Sequence, residues 1–344
     1  MPEHVTILGD GAMGTVCAML LVQGGHRVAM WGAFERSIER LLQTRTNDRL
    51  LPGARIPDAV RLTADDRSAF DGATMVLSAV PTQYMRGAWT RLRSFIPKDI
   101  PVVTVAKGIE NDTLLRPTQI VADVLGGRVG YDRHPECDWP LATLSGPNIA
   151  AELARYLPAS SVAAAIDEPL ARRVQQTFST QWFRIYTNSD VTGVELAAAS
   201  KNVIALAAGM IDGLAAGNNL KAALVTRGLV EITRLGVALG ARTETFMGLA
   251  GLGDLITTCV SPEGRNRRVG EQLGKGRTLE QVLAETPSVA EGVPTTKSML
   301  ALARRHSVEM PITSAVYSVL FDNADPIATL TKLMTRDPKA EVPH

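Results

Sequence analysis

Apolar and polar positions alternate in blocks through the first half of the chain. Val5-Thr6-Ile7-Leu8 is a short apolar run, Val16 to Val22 reads as an apolar helix closed by Gly24-Gly25, and Arg27 to Trp31 is a second apolar run. Glu35 to Arg49 has the pattern of a polar amphipathic helix, and Val60 to Thr63 that of a short strand. Met75 to Val80, ending at Pro81, and Pro101 to Val105 read as buried strands, with a helix over Tyr84 to Phe95 between them and another running through Leu125. Leu141 to Leu144, Ser161 to Ile166 and Phe183 to Thr187 are further strands, with a helix over Ile149 to Leu157. Strand and helix in repeated alternation predict a parallel sheet covered on both faces. The stretch Gly126 to Pro140, with Tyr131, Arg133 and His134, has no periodicity and reads as a surface excursion.

Beyond the polar break Asn188-Ser189-Asp190 the strand patterns stop. Val191 to Leu214, Leu220 to Leu239, Leu279 to Glu285, Thr295 to Arg305 and Ile312 to Phe321 all carry helical spacing. The expected fold class is therefore α/β: an N-terminal Rossmann-type doubly wound sheet over residues 1–189, then an all-helical substrate-binding domain over 190–344. A length of 344 residues accommodates two domains.

Composition narrows the class of function. Lys plus Arg total 36 against 35 for Asp plus Glu, so nothing points to nucleic acid or an acidic membrane surface. Cys17, Cys137 and Cys259 are widely separated, with no metal-ligand spacing and no disulfide framework, which fits a reducing compartment. Glu3 and His4 stand where a signal peptide would carry positive charge, and the apolar stretch Val194 to Ile211 is interrupted by Glu195 and Lys201. These features lead us to expect a cytoplasmic protein with no membrane insertion and a small-molecule substrate. A homodimer stays open.

The chemistry begins at Gly9-Asp10-Gly11-Ala12-Met13-Gly14, a G-x-G-x-x-G that follows a strand and opens a helix. That context suits a dinucleotide: Gly9 permits the turn, Gly11 lets backbone approach a pyrophosphate, Gly14 lets helix pack on strand, and the helix N-terminus faces the anion. Past the second strand come Gly32 and Ala33, then Glu35 and Arg36, one suited to a ribose 2′-OH and the other to a 2′-phosphate, so NAD and NADP both stay open. Lys107 follows a strand end, where ligands gather. Asn148 can cap the helix after it or face a ligand.

In the second half, Lys201 stands amid Ala, Val and Ile, with Glu195 and Asn202 nearby. A lysine there is costly to bury unless it is paired or useful. Gly248 to Leu255 is a glycine-rich turn that delivers Asp254, followed by Thr257-Thr258. Gly264-Arg265-Asn266-Arg267-Arg268 is a basic knot in a loop or helix start, of the kind that suits phosphate or carboxylate.

Together these motifs resemble the bacterial-type NAD(P)-dependent glycerol-3-phosphate dehydrogenases over nearly the whole chain. The resemblance rests on the fingerprint with Trp31-Gly32, Val105-Ala106-Lys107-Gly108, Leu144-Ser145-Gly146-Pro147, Lys201 to Ala205 and Gly248 to Asp254. It continues through Ser261 to Arg268, Val289-Ala290-Glu291-Gly292 and Val308 to Ile312. It implies reversible reduction of dihydroxyacetone phosphate to sn-glycerol 3-phosphate with NAD or NADP, with Lys201 as acid/base and Lys107 and Asp254 beside it. It further implies a substrate site of Lys107, Gly146, Asn148, Lys201, Asn202, Asp254, Gly264, Arg265 and Asn266. The implied cofactor site adds Ala12, Met13, Ala33, Lys107, Ala150, Arg265, Val289 and Glu291 to Gly9, Gly11 and Gly14.

The chain departs from that family at Asn148-Ile149 (usually Thr-Phe), Gly264 (commonly Ser), Ala33 (often basic or His) and Gln83 (His), the last with no expected role. Two other readings compete: a two-domain dehydrogenase of the β-hydroxyacid type, in which Arg265-Asn266 would be dispensable, and a non-enzymatic NAD(H) sensor.

Overall fold

A computed structural model describes residues 2–131, 134–286, 289–338 and 340–341. Arg133 lies outside the described residues. Among them, strands β1 (His4–Leu8), β2 (Arg27–Trp31), β3 (Arg61–Thr63), β4 (Met75–Ser78), β5 (Val102–Thr104), β6 (Leu141–Ser145), β7 (Ala159–Ala164) and β8 (Phe183–Asn188) form one sheet. Its order is β3-β2-β1-β4-β5-β6-β7-β8. The order reverses at β1, the topological switch point at which open α/β sheets bind ligands. One core cluster, built on Val5, Ile7, Leu77 and Val103, lies on one face of the sheet, and another, built on Leu8, Val76, Trp89 and Val102, on the other. Adjacent strand residues thus point into opposite layers, and the strands read as unbroken apolar runs.

The expectation of a parallel sheet needs one correction: β6 and β7 are antiparallel, with Thr143 opposite Ala164 and Ser145 opposite Val162. The connection between them holds only the four-residue helix Ala150–Leu153 instead of the expected run to Leu157. One helical turn rises about 6 Å, too little to carry the chain back along the sheet face. The helix expected to reach Arg49 is Glu35–Thr44, stopped where Arg45 turns left-handed at φ 52°. The stretch 126–140 is not only a surface excursion. Arg128 and Glu136 form an isolated bridge, Val129, Tyr131, Cys137 and Trp139 pack on the core, and the Arg305 guanidinium lies 4.1 Å from the Tyr131 ring.

After β8 the described residues form helices around Val191–Gly213, whose residues from Val191 to Ile211 are all buried. It begins at Asp190, whose carboxylate accepts from Gly193 N at 2.8 Å and from Arg242 N at 2.9 Å. By length and composition this helix is apolar enough to cross a membrane, yet its apolar window lies wholly within the fold. A helix apolar all round belongs at the centre of a core, and it carries Lys201 there.

Candidate active site

Lys201 is buried, and its charge is met from a neighbouring helix. Lys201 Nζ donates to Asp254 Oδ1 at 2.6 Å and to Thr258 Oγ1 at 2.6 Å. Asp254 and Thr258 both lie on helix Asp254–Val260, one turn apart, so both reach the same ammonium. Lys107, past the end of β5, takes the other carboxylate oxygen: Nζ donates to Asp254 Oδ2 at 2.8 Å, to Asn148 Oδ1 at 2.6 Å and to Gly146 O at 3.0 Å. One carboxylate thus balances two ammonium groups in a pocket of low solvent access, leaving net positive charge for an anionic ligand. Burial pushes the Lys201 ammonium down to about 8, with Lys107 adding to the fall and Asp254 opposing it.

Two further polar residues find their partners here. Asn148 does not cap the following helix, whose N-cap is Ile149 with no side-chain bond; its oxygen is spent on Lys107. Glu195 is not a partner of Lys201. It accepts from Arg116 Nη1 at 2.6 Å, Thr118 N at 2.8 Å and Thr118 Oγ1 at 2.8 Å. Six residues of helix place it about 120° around the axis from Lys201, where it ties this helix to the start of helix Pro117–Val124.

The basic knot is brought to Lys201 by close backbone packing. Gly264 is the N-cap of helix Arg265–Gly274, which crosses the central helix on glycines. A Cβ on Gly209 would lie 1.9 Å from Arg267 O, and one on Gly270 would lie 2.0 Å from Leu206 O. Only glycine permits that approach. A row of amides then runs across the junction. Asn202 Nδ2 donates to Lys107 O at 2.8 Å, Asn266 Nδ2 to Asn202 Oδ1 at 2.9 Å, and Gly292 N to Asn266 Oδ1 at 3.0 Å. Beside Gly292, Glu291 Oε1 accepts from Thr82 N at 2.9 Å, joining the helical half to the end of β4. Arg267 is held by Asp212, whereas Arg265 is exposed with no partner among the described residues, which leaves its guanidinium for a ligand. The Gly264 amide is already committed to Ser261 O at 3.1 Å.

The residues of the fingerprint fit a dinucleotide. A Cβ on Gly14 would lie 2.1 Å from Gly9 O, so helix Ala12–Gln23 sits directly on the turn. A Cβ on Gly11 would meet nothing within 4 Å, leaving space at a helix N-terminus that no side chain caps and no acid occupies. Ala12, Met13 and Ala150 pack beside this turn against the core. Ala33 is exposed, and its carbonyl accepts from Arg91 Nη1 at 3.1 Å. Val289 is half-buried, and no polar contact ties it to the lysines. Gln83, given no role from the sequence, clamps the segment after Lys107 through Ile109 O at 2.7 Å and Asn111 N at 3.1 Å. Thr258 was missed as a lysine partner; its place four residues after Asp254 on one helix was the available signal.

A glycine turn at the switch point of an α/β half, together with a buried, paired lysine in a helical half, is the pattern of a two-domain nicotinamide-dinucleotide dehydrogenase. Residues 4–171 match the family described as NAD-dependent glycerol-3-phosphate dehydrogenase N-terminus, and residues 190–331 match the C-terminus of the same family. The chain is 46% identical over 341 residues to a glycerol-3-phosphate dehydrogenase (NAD(P)+) of Citrifermentans bemidjiense, covering 99% of both chains. It is 45% identical to one of two such enzymes from Salinibacter ruber, covering 99% of this chain and 97% of the other. A crystal structure of glycerol-3-phosphate dehydrogenase from Coxiella burnetii superposes with a TM-score of 0.91 at 33% identity, covering 97% of this chain and 99% of that one. The chain belongs to the NAD-dependent glycerol-3-phosphate dehydrogenase family and is an NAD(P)-dependent oxidoreductase.

Proposed function

We propose that this chain reversibly reduces dihydroxyacetone phosphate to sn-glycerol 3-phosphate, feeding glycerophospholipid synthesis, with Lys201 as general acid and base. The observation that carries this reading is the buried Lys201, pushed down to about 8 by burial and sharing Asp254 with Lys107. A nicotinamide coenzyme held at the turn of residues 9–14 would supply the hydride chemistry when bound. The chain supplies the rest. A protonated Lys201 gives its proton to the carbonyl oxygen and stabilises the developing alkoxide. In the reverse direction the neutral amine takes the hydroxyl proton. Asp254 holds Lys201 and Lys107 together, so both cations converge on one oxygen site without reorganising.

Arg265 and the uncapped start of helix Arg265–Gly274 hold the substrate phosphate, and binding that remote group orients the carbonyl. Gly11, Ala12 and Met13 take the dinucleotide pyrophosphate, and Glu291 and Lys107 line the face between the halves. We place the division of labour at residues 1–189 for the cofactor and 190–344 for the substrate, and the protein in the cytoplasm, in keeping with three free cysteines. The test is the decrease of NADH or NADPH absorbance with dihydroxyacetone phosphate as the sole acceptor. Turnover with either coenzyme is expected; none with both would refute the proposal.

A further inference from the structure

Past the end of β2, with Arg36 beside it, the acid suited to a ribose 2′-OH is Glu35. It is exposed. A different carboxylate occupies that corner. Asp10, the residue between Gly9 and Gly11, is half-buried, and its carboxyl carbon sits 3.1 Å from where a Cβ on Gly32 would be. The side chain therefore leans from the β1 turn onto the residue that ends β2. It is fixed there: Ser37 Oγ donates to Asp10 Oδ2 at 2.6 Å, and Asn47 Nδ2 holds the Asp10 carbonyl at 2.9 Å while also donating to Thr15 Oγ1 at 3.0 Å. Gly9 N donates to Trp31 O at 2.8 Å and locks the turn against β2. Asp10 Oδ1 has no partner among the described residues, and no cation pairs with this carboxylate there.

From this geometry we infer that Asp10 is the coenzyme-specificity residue: it accepts the adenosine ribose 2′-OH and disfavours a 2′-phosphate, so the protein prefers NAD(H) to NADP(H). In open α/β sheets the ribose lies beyond the β2 end, where a carboxylate accepts from the 2′-OH and an arginine instead accepts a phosphate. Asp10 delivers the carboxylate from the first strand's turn, and Ala33 delivers no charge. Arg91 is paired with Asp66 and stacked on Trp31 at 5.2 Å, and Arg36 projects from the exposed first turn of helix Glu35–Thr44. A 2′-phosphate would therefore bring about two negative charges to a fixed anion.

The inference rests on the reading of the fingerprint as a dinucleotide cradle, and direct binding separates the two. Dissociation constants for NADH and NADPH would be measured by calorimetric titration of the substrate-free protein, for the wild type, Asp10→Ala, Asp10→Asn and Arg36→Ala. The wild type is expected to bind NADH at least about tenfold more tightly, the scale of one hydrogen bond to a charged group. Asp10→Ala and Asp10→Asn should each tighten NADPH relative to NADH by about tenfold, and Arg36→Ala should leave the ratio unchanged. Asp10→Asn keeps the size and the Ser37 contact, so it serves if the alanine variant fails to fold. Wild-type binding that favours NADPH, or a ratio indifferent to both Asp10 variants, would overturn the assignment. Binding of neither coenzyme by the wild type would instead overturn the cradle itself.

Discussion

Lys201 and Lys107 hold opposite oxygens of one buried carboxylate, Asp254, at 2.6 and 2.8 Å. They come from parts of the chain far apart in sequence, one on the central helix and one past the end of β5. Each lysine thus donates to the same anion. This sharing lets an ammonium persist in the core and ties Lys201 to Lys107.

The pH profile should report that link. With Lys201 pushed down to about 8, the protonated form needed for ketone reduction is present below that value and lost above it. The rate of dihydroxyacetone phosphate reduction at saturating substrate is expected to fall as pH rises through about 8, while sn-glycerol 3-phosphate oxidation rises through the same range. Initial rates in both directions between pH 6 and about 10 check it; two profiles falling together would contradict it.

Replacing Asp254 by Asn keeps the shape and removes the shared charge. Both ammonium groups then face each other with no counter-ion, and breaking a buried pair costs about 3–5 kcal/mol. Denaturant unfolding should show a loss of that order. The pH above which reduction falls should drop below that of the wild type, because the effect that raises the Lys201 value is gone.

Arg265→Ala should act mainly on substrate binding, because its guanidinium has no structural partner among the described residues to lose. KM for dihydroxyacetone phosphate is expected to rise by about tenfold or more, with thermal stability unchanged. An unchanged KM would remove Arg265 from the phosphate site.

Gly270→Ala tests whether the helix crossing sets the geometry of the site. The added methyl would lie 2.0 Å from Leu206 O, which is backbone and cannot swing aside. Overpacking of this kind costs about 1–3 kcal/mol, and the two helices must part. Parting shifts Asn266 off Asn202, so kcat should fall along with stability; a loss of stability at full kcat would show that the crossing does not position the site.

The fold was largely legible because its signals are local. Apolar runs such as Met75 to Val80 and the glycine turn at Gly9 dictate their own conformation, whatever lies around them. The antiparallel β7 was not legible, since direction depends on how little helix the connection after Ser145 contains. Lys201 stood out by its burial cost, while Asp254 was put beside it only through the family resemblance and Thr258 was missed. Asp254 and Thr258 lie more than fifty residues away, and no local pattern announces which carboxylate a lysine will meet. Asn148 and Glu195 show the same limit from the other side: each had a plausible local partner, and tertiary contact gave it a distant one. The helix around Arg265 was half visible, because the reason it lies where it does is the backbone contact at Gly209 and Gly270 and not its own charge.

The most direct test is the turnover of Lys201→Ala with dihydroxyacetone phosphate and saturating NADH, alongside the calorimetric affinity for NADH. If Lys201 is the proton donor, kcat should fall by about three orders of magnitude or more while NADH still binds. A kcat within about tenfold of the wild type would contradict the account, since one positioned acid is worth more than that.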